Sequence, residues 1–241
     1  MFPVLNVGSV SIQLPALLLL IGIYLGLVLA EKNAPRAGHD SKHLNSVVLL
    51  MALVGIIGSR LSFIAQHFAA FQASPTSIFS LNIDLLDPVG GFIFILISLL
   101  IYVQKNNLKF RDILDLLTPL FAVFFVFLGL SQLASGSAYG LPTTLPWGIY
   151  VWGSYRHPTQ VYQAVAAVAI VLAVYFWSRQ GVQNGILFLR FAALTSSVYL
   201  FIDAFRSNCP TIFGTIHLNQ LAALLLMAIA LFLLERKERT V

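Results

Sequence analysis

The sequence predicts an all-α, polytopic membrane protein with about seven transmembrane helices, its N-terminus outside the membrane and its C-terminus in the cytoplasm. Three observations lead to this fold class. Apolar residues make up 59% of the chain and charged residues 10%, whereas about one-quarter of a soluble domain is charged. The mean hydropathy is +0.88. Lysine and arginine are also spread unevenly over the connections.

The apolar stretches are long enough to cross a bilayer, which takes about 20 residues of helix. We predict a single integral-membrane domain, 1–241, with helices near 12–30, 46–66, 88–104, 113–134, 160–178, 185–204 and 216–234. The third and fourth contain polar interruptions. The N-terminus has no basic region and no small-residue cleavage pattern, so we expect the first helix to be retained as an anchor.

The basic residues orient this bundle. All of the 14 Lys and Arg residues except Arg60, Arg156, Arg190 and Arg206 lie in the first, third and fifth connections or at the C-terminus. Since cytoplasmic connections carry the excess of basic residues, these segments are predicted to be cytoplasmic. The net charge of +5 therefore reflects topology. We expect no nucleic-acid partner, because one would need basic residues clustered on a soluble face.

Two of the four exceptions, Arg60 and Arg190, lie near helix ends. Arg60 follows Gly58-Ser59 toward the outer end of the second helix. Its side chain can either extend to the interface or bind a lipid phosphate, and the small residues before it favour phosphate binding because they permit close approach. Arg190 lies near the cytoplasmic end of the sixth helix, where extension to the interface explains it.

Two aspartates lie near the starts of helices. The run from Asp87 to Gly91 ends in a glycine pair, Gly90 and Gly91, which permits either backbone approach to a ligand or a plain turn into the third helix. Asp115 lies early in the fourth helix, before Pro119. For Asp115 we favour a helix cap or a structural ion pair with a cytoplasmic lysine.

The run from Arg156 to Tyr162, with the sequence RHPTQVY, opens the fifth helix. It places a guanidinium, an imidazole, the Gln160 carboxamide and a phenol at the mouth of a transmembrane segment. Such groups are costly at membrane depth and usually mark a pathway or a ligand site. Because Pro158 suits the first turn of a helix, Arg156 and His157 are predicted to lie beside free backbone N–H groups, which bind anions. The natural anion at this depth is a lipid phosphate.

Three polar residues at the end of the sixth helix share one face. Tyr199, Asp203 and Arg206 follow one another at about one-turn spacing. Two interpretations are equally open: a self-neutralising Asp203–Arg206 pair, or a working site that uses both charges.

The remaining reactive side chains give little indication of a site. Cys209 is the only cysteine, so it can form no internal disulfide, and a packed or bystander thiol is expected. His39 and His43 lie in the first cytoplasmic connection with no third ligand nearby, so no metal site is expected there.

Several motifs, in the same order over most of the chain, resemble the prolipoprotein diacylglyceryl transferases, seven-span enzymes of the bacterial inner membrane. The most specific part is the segment 138–162, with Ala138-Tyr139-Gly140, Pro142-Thr143, Pro146-Trp147 and the run from Arg156 to Tyr162. The other matching motifs are Gly58-Ser59-Arg60, Gly90-Gly91, Asp115 with Pro119, Asp203-Ala204-Phe205-Arg206 and Asn219-Gln220.

The resemblance implies transfer of diacylglyceryl from phosphatidylglycerol to the lipobox cysteine thiol of a preprolipoprotein. A thioether forms and glycerol phosphate leaves; no cofactor or metal is implied. Such a reaction needs cations to hold the departing phosphate and a base for the thiol. The residues expected to bind phosphate are Arg60, Arg156 and Arg206, supported by Gly90, Gly91, Tyr139, Gly140, Gln160, Tyr162, Tyr199 and Asp203.

The chain departs from the family pattern at several positions. The histidine of the family's His-Gly-Gly motif is replaced by Val89, and the fourth-helix Arg, Asn and Glu fall in 129–137, which has neither arginine nor acid. The family's sixth-helix Arg falls at Tyr199, the preceding Tyr at Thr195, and the first-helix Tyr at Pro15. Losing such groups commonly costs several orders of magnitude in rate.

His157, beside Arg156, is the best remaining candidate for a base, and His67, near Arg60, is the second. For each, a structural or interfacial role is favoured, since no orienting acid lies nearby in sequence. Two hypotheses follow: a divergent transferase that uses Arg60, Arg156 and His157, or a non-catalytic relative that binds anionic phospholipid or lipoprotein precursors. A small transporter is a weaker alternative, because no inverted repeat or broken helix pair stands out.

Overall fold

The computed structural model describes residues 4–7, 10–35, 41–79, 85–181, 185–207, 211–212 and 216–239. Seven of its helices are long and apolar enough to cross a membrane, which confirms the prediction of an all-α, polytopic membrane protein. The side of the membrane on which each terminus lies stays a prediction. His39 and Cys209 lie outside the described residues.

Among the described residues, the seven long helices lie within a few residues of the predicted stretches, whereas the short helix Phe68–Ala73 was not predicted. The helices are α1 (Leu14–Asn33), α2 (Leu44–Gln66), α3 (Phe68–Ala73), α4 (Pro88–Lys105), α5 (Phe110–Ser135), α6 (Thr159–Ser178), α7 (Ile186–Ile202) and α8 (Leu218–Glu238). Three antiparallel strand pairs were not predicted: β1 (Val4–Val7) with β2 (Val10–Gln13), β3 (Ile149–Val151) with β4 (Ser154–Arg156), and β5 (Thr211–Ile212) with β6 (Ile216–His217).

The polar interruptions predicted in the third and fourth spans do not break α4 or α5. Pro119 lies inside α5 and lacks the N–H group of a helical hydrogen bond. The hydroxyl of Thr118 donates to the Leu114 carbonyl (2.8 Å), and that of Ser98 to the Ile95 carbonyl in α4 (2.9 Å). Each polar side chain is thus satisfied within its own helix, as a membrane interior requires.

The chain divides into two compact units, Met1–His39 with Leu114–Val241, and Asp40–Ile113. In the first unit, α1 and α6 both pack closely on α5. A Cβ atom at Gly22 would lie 2.6 Å from Cβ of Phe127, and one at Gly129 would lie 3.0 Å from the carbonyl oxygen of Gln160. Such small residues let helix backbones approach one another in a membrane. A core of buried residues lies among α5, α6 and α7: Ala122, Phe125, Ala167, Ile170, Val174, Leu187 and Phe191.

The second unit is built on the packing of α2 against α4. A Cβ atom at Gly55 would lie 2.8 Å from Cδ1 of Ile95, and one at Gly91 would lie 3.0 Å from Cβ of Ser59. The two helices therefore also approach through small residues. The expectation that residues 1–241 form a single integral-membrane domain stays a prediction.

Candidate functional site

The segment between α5 and α6 forms a scaffold at one end of α6. The His157 N–H donates to the Leu141 carbonyl (3.0 Å), and the Gly140 N–H donates back to the His157 carbonyl (3.1 Å). On the other side, the Leu141 N–H donates to the Phe205 carbonyl at the end of α7 (2.7 Å). Because Arg156 also pairs with β3 in the β3–β4 hairpin, the backbone of Arg156 and His157 is held from several directions.

The Arg156 guanidinium is partly engaged within this scaffold. Its Nε donates to the Val151 carbonyl (3.2 Å) and its Nη1 to the Gly140 carbonyl (3.3 Å). The guanidinium also lies over the Tyr139 ring, 5.0 Å from the ring centre. Within the described residues, Nη2 donates no hydrogen bond and Nη1 uses one of its two N–H groups. Three of the five N–H groups therefore remain available to a ligand, on a cation of fixed orientation.

The start of α6 differs from the prediction in one respect. Pro158 is the residue before the first turn rather than part of it. The Thr159 N–H donates to the His157 carbonyl (2.9 Å), and the N–H groups of Val161 and Tyr162 both donate to the Pro158 carbonyl. These first-turn donors therefore have acceptors within the chain. The predicted anion binding at this position would therefore depend on the guanidinium more than on the helix terminus.

His157 belongs to a short chain of polar aromatic groups. The Trp147 indole Nε1 donates to the Tyr162 hydroxyl (2.8 Å), and that hydroxyl lies 3.3 Å from Nδ1 of His157. The imidazole also lies near the Phe205 ring, with the ring centres 5.2 Å apart. His157 and Tyr162, which both belong to the predicted cluster, are thus in contact, and Trp147 joins them.

Gln160 and its neighbour Thr159 hold the loop that follows α5. The Gln160 carboxamide donates to the Ser137 carbonyl (2.7 Å), and the Thr159 hydroxyl donates to the Ala138 carbonyl (2.6 Å). Both side chains are fully buried. Gln160 therefore positions the site through its carboxamide N–H, while its buried Oε1 has no hydrogen-bond partner within the described residues.

Arg206 is buried and neutralised. Its Nη1 lies 3.1 Å from the Asp203 carboxylate, and the guanidinium lies over the Tyr199 ring, 5.6 Å from its centre. The predicted shared face is therefore present, and it holds the ion pair that one of the two interpretations proposed. A third partner was missed: Arg206 Nη2 donates to the Gln163 side-chain oxygen (2.5 Å). The sequence did contain a sign of this partner, because Gln163 is a polar residue one turn after Gln160 in an otherwise apolar run.

In the unit Asp40–Ile113, Arg60 holds the connection between α3 and α4. Its Nε and Nη2 donate to the Ile78 carbonyl, its Nη2 also to the Ser77 carbonyl (2.6 Å), and its Nη1 to the Leu85 carbonyl (3.0 Å). The guanidinium also lies over the Phe71 ring. Most of its hydrogen-bonding capacity is thus used within the chain, which neither interpretation of Arg60 anticipated.

Asp87 caps α4 and joins it to α2. Its carboxylate accepts from the Ser62 hydroxyl (2.6 Å), the Gln66 carboxamide (2.8 Å) and the Gly90 N–H (3.0 Å). The hydrogen bond from Ser62, assisted by the others, lowers the pKa of Asp87 below its ordinary value. A Cβ atom at Gly90 would collide with the Ser62 side chain. The glycine pair therefore serves the turn into α4 and its packing on α2, one of the two uses expected for it.

The other candidates are engaged in local contacts. The ring of His67 stacks on Phe63, and its Nδ1 lies 3.0 Å from the Phe63 carbonyl. Nδ1 of His43 lies 2.9 Å from the Tyr102 hydroxyl. Arg190 lies over the Trp177 ring. Among the described residues, no group of three or more His, Cys, Asp and Glu residues could hold a metal ion.

Asp115 caps a helix other than its own. Its carboxylate accepts from the N–H groups of Gly185 and Phe188 at the start of α7. The predicted capping role therefore takes the form of a link between α5 and α7. Its partners lie far away in sequence, so the sequence alone could not identify them.

Comparison with known proteins relates this chain to one family. The sequence model of the prolipoprotein diacylglyceryl transferases matches residues 3–236. The chain belongs to this family. Relatives named phosphatidylglycerol–prolipoprotein diacylglyceryl transferase include a Finegoldia magna protein, 24% identical over 91% of this chain and 88% of the relative. Others come from Nitratidesulfovibrio vulgaris (26% identity, 97% and 92% coverage) and Clostridium botulinum (23%, 94% and 93%).

Family membership confirms the resemblance that rested on segment 138–162. The residues of that segment contact one another around Arg156 and His157, whereas the role of each in a prolipoprotein diacylglyceryl transferase reaction stays a prediction. The same holds for the departures at Val89, Thr195 and Tyr199 from the family's motifs. Trp147, quoted only as part of a motif, was not expected to contact Tyr162.

Proposed function

We propose that this chain is a phosphatidylglycerol–prolipoprotein diacylglyceryl transferase of the bacterial plasma (inner) membrane. Its phospholipid substrate is phosphatidylglycerol and its protein substrate a preprolipoprotein. Membership of a transferase family over residues 3–236 supports this activity, and the relatives' names supply the two substrates. The observation that carries the proposal is Arg156: a guanidinium fixed by its scaffold, with Nη2 left to bind a phosphate.

In the proposed reaction, the thiol proton of the lipobox cysteine goes to a base, and the sulfur attacks the glyceryl carbon that carries the phosphate. A carbon–sulfur bond forms while the carbon–oxygen bond breaks, and the oxygen leaves with the electron pair as glycerol phosphate. Negative charge therefore grows on the phosphate in the transition state. Arg156 would stabilise that charge, which is where a fixed cation accelerates a reaction most.

We assign a different role to each of the other candidate residues. His157, next to Arg156 in the chain, is the candidate catalytic imidazole, either as the base for the thiol or as a hydrogen-bond donor to the headgroup. Arg60 would contact phosphate only through its remaining Nη1 N–H, since its other donors hold the connection before α4. Arg206 is neutralised by Asp203, so we assign it to hydrogen bonding with the headgroup more than to charge stabilisation.

The test uses purified protein, phosphatidylglycerol and a lipobox peptide, with thioether product detected by mass spectrometry. Arg156→Ala is expected to lower kcat/KM by about 100-fold or more. Arg179→Ala is the matched control, because Arg179 lies over the Tyr175 ring at the other end of α6, just as Arg156 lies over Tyr139. Absence of product from the wild-type chain would overturn the proposed activity.

A non-catalytic relative that binds phosphatidylglycerol or lipoprotein precursors is the second candidate. It is favoured by the neutralised Arg206 and by Val89, an exposed apolar side chain at the position where the resemblance implies a histidine in the family. Binding that Arg156→Ala abolishes, without thioether product, would support this candidate. Absence of both binding and product would exclude the two together.

A further inference from the structure

The neighbouring tryptophan bears on the direction of the hydrogen bond between His157 and Tyr162. An indole N–H can only donate, so the Tyr162 oxygen accepts the 2.8 Å hydrogen bond from Trp147. The phenol has one hydrogen of its own. Nδ1 of His157, 3.3 Å away, is the acceptor that the described residues offer to it. If the Tyr162 hydroxyl donates to Nδ1, then Nδ1 of the neutral imidazole carries no hydrogen.

Two other histidines have the opposite arrangement. Nδ1 of His67 lies 3.0 Å from the Phe63 carbonyl, and Nδ1 of His217 lies 3.0 Å from the Asp203 carbonyl. A carbonyl oxygen can only accept, so Nδ1 carries the hydrogen in both. A Tyr162 hydroxyl that donates to Nδ1 would make His157 differ from these two in the ring nitrogen that carries the hydrogen.

We propose that Trp147 and Tyr162 hold neutral His157 as the Nε2–H tautomer, so that His157 donates a hydrogen bond to the phospholipid headgroup instead of taking the thiol proton. Trp147 and Tyr162 are then positioning residues. Nε2 has no hydrogen-bond partner among the described residues, so it is available to a ligand. The oxygens of a phosphodiester only accept hydrogen bonds, and Nε2–H matches them. The donor role rests on the proposed function, whereas the tautomer does not.

This assignment explains why His157 needs no carboxylate beside it. A histidine base is usually oriented by an acid that stabilises the imidazolium, and the described neighbours of the His157 ring are a phenol and the Phe205 ring. A neutral donor requires only a fixed tautomer, which the Tyr162 hydroxyl supplies.

The first test is nitrogen NMR of histidine-labelled protein in phosphatidylcholine nanodiscs, above the pH range in which the imidazole charges. The chemical shifts of the two ring nitrogens distinguish the tautomers, and His157→Gln assigns the signal among the five histidines. We expect Nε2–H in the wild type and a gain of Nδ1–H in Tyr162→Phe and in Trp147→Phe. Trp152→Phe, which removes an indole that donates to the Gly136 carbonyl, is the control and should leave the signal unchanged.

A wild-type signal for Nδ1–H would overturn the proposal, and so would tautomer populations that neither Tyr162→Phe nor Trp147→Phe alters. Addition of phosphatidylglycerol to the nanodiscs should shift the Nε2–H resonance. An unshifted resonance would exclude the donor role whether or not the protein turns over.

The second test separates a donor from a base by activity. His157→Gln keeps a side-chain N–H but cannot take a proton, so it should retain kcat/KM within about tenfold of the wild type, whereas His157→Ala should lose about 100-fold. Equal, severe losses in both variants would restore the base assignment. A wild type with the expected tautomer and lipid response but without product would contradict the proposed function alone.

Discussion

At the scale of single residues, Gly140 lies where the connection after α5 meets the end of α7, and a side chain does not fit there. A Cβ atom would lie 2.6 Å from Cβ of His157 and 3.0 Å from the Phe205 carbonyl. The backbone cannot move aside easily, because hydrogen bonds to His157 and Phe205 hold it on both sides. We expect Gly140→Ala to lower the unfolding free energy by about 1–3 kcal/mol and to reduce transfer by displacing His157. Unfolding in detergent and the thioether assay measure the two effects.

Gly153, in the turn between β3 and β4, provides the control for that substitution. Its φ of +80° is costly for other residues, but nothing lies within 4 Å of an added Cβ. Gly153→Ala should therefore cost about 1–2 kcal/mol of backbone strain and leave transfer unchanged. Equal loss of transfer in both variants would contradict the steric argument for Gly140.

The sequence identified those site residues that are close together in the chain. Arg156, His157 and Tyr162 are visible as a polar cluster because membrane segments seldom carry such groups. The sequence did not identify contacts between site residues that are distant in the chain, such as Trp147 with Tyr162 and Gln163 with Arg206. These contacts depend on how the α5–α6 connection packs against the end of α7. The hydrophobic periodicity of the sequence does not specify that packing.

At the scale of elements, the start of α4 depends on one carboxylate. Because hydrogen bonds lower the pKa of Asp87 in the folded state, its contribution to stability is complete above the ordinary aspartate pKa and is lost as the pH falls through the lowered value. We expect the unfolding temperature of the wild type to fall between about pH 5 and pH 3, and Asp87→Asn to weaken that dependence. Thermal unfolding at a series of pH values in one detergent measures it.

Ser62→Ala is the matched variant for this prediction, since the Ser62 hydroxyl is the largest cause of the lowered pKa. It should reduce the pH dependence in the same direction as Asp87→Asn. An unchanged pH profile in both variants would show that other carboxyl groups govern the acid sensitivity.

The transmembrane helices were predictable as elements, and the strand pairs were not. A span must satisfy its own backbone with about 20 apolar residues, so its signal is local and long. The β3–β4 hairpin has three residues in each strand and contains Tyr150, Trp152 and Tyr155, whose side chains are largely exposed. A segment that short has little periodicity, and its pairing is supported by the neighbouring 140–143 backbone.

For the molecule as a unit, the basic residues predict the orientation in the membrane, and that orientation decides which side the Arg156 scaffold faces. The scaffold and the connection between α6 and α7 lie at opposite ends of α6, which is 20 residues, or about 30 Å, long. The positive-inside rule predicts that Arg179 and the α6–α7 connection lie in the cytoplasm. The scaffold is therefore predicted to lie on the outer side.

Two glycines provide a matched pair for testing this orientation. Gly153 and Gly181 both have positive φ and nothing within 4 Å of an added Cβ, and they lie beyond opposite ends of α6. In a Cys209→Ser background, Gly153→Cys should react with a membrane-impermeant maleimide in intact bacteria whose outer surface is accessible. Gly181→Cys should react only after the plasma membrane is opened. The reverse pattern would place the Arg156 scaffold in the cytoplasm, and the basic residues would then fail to orient this chain.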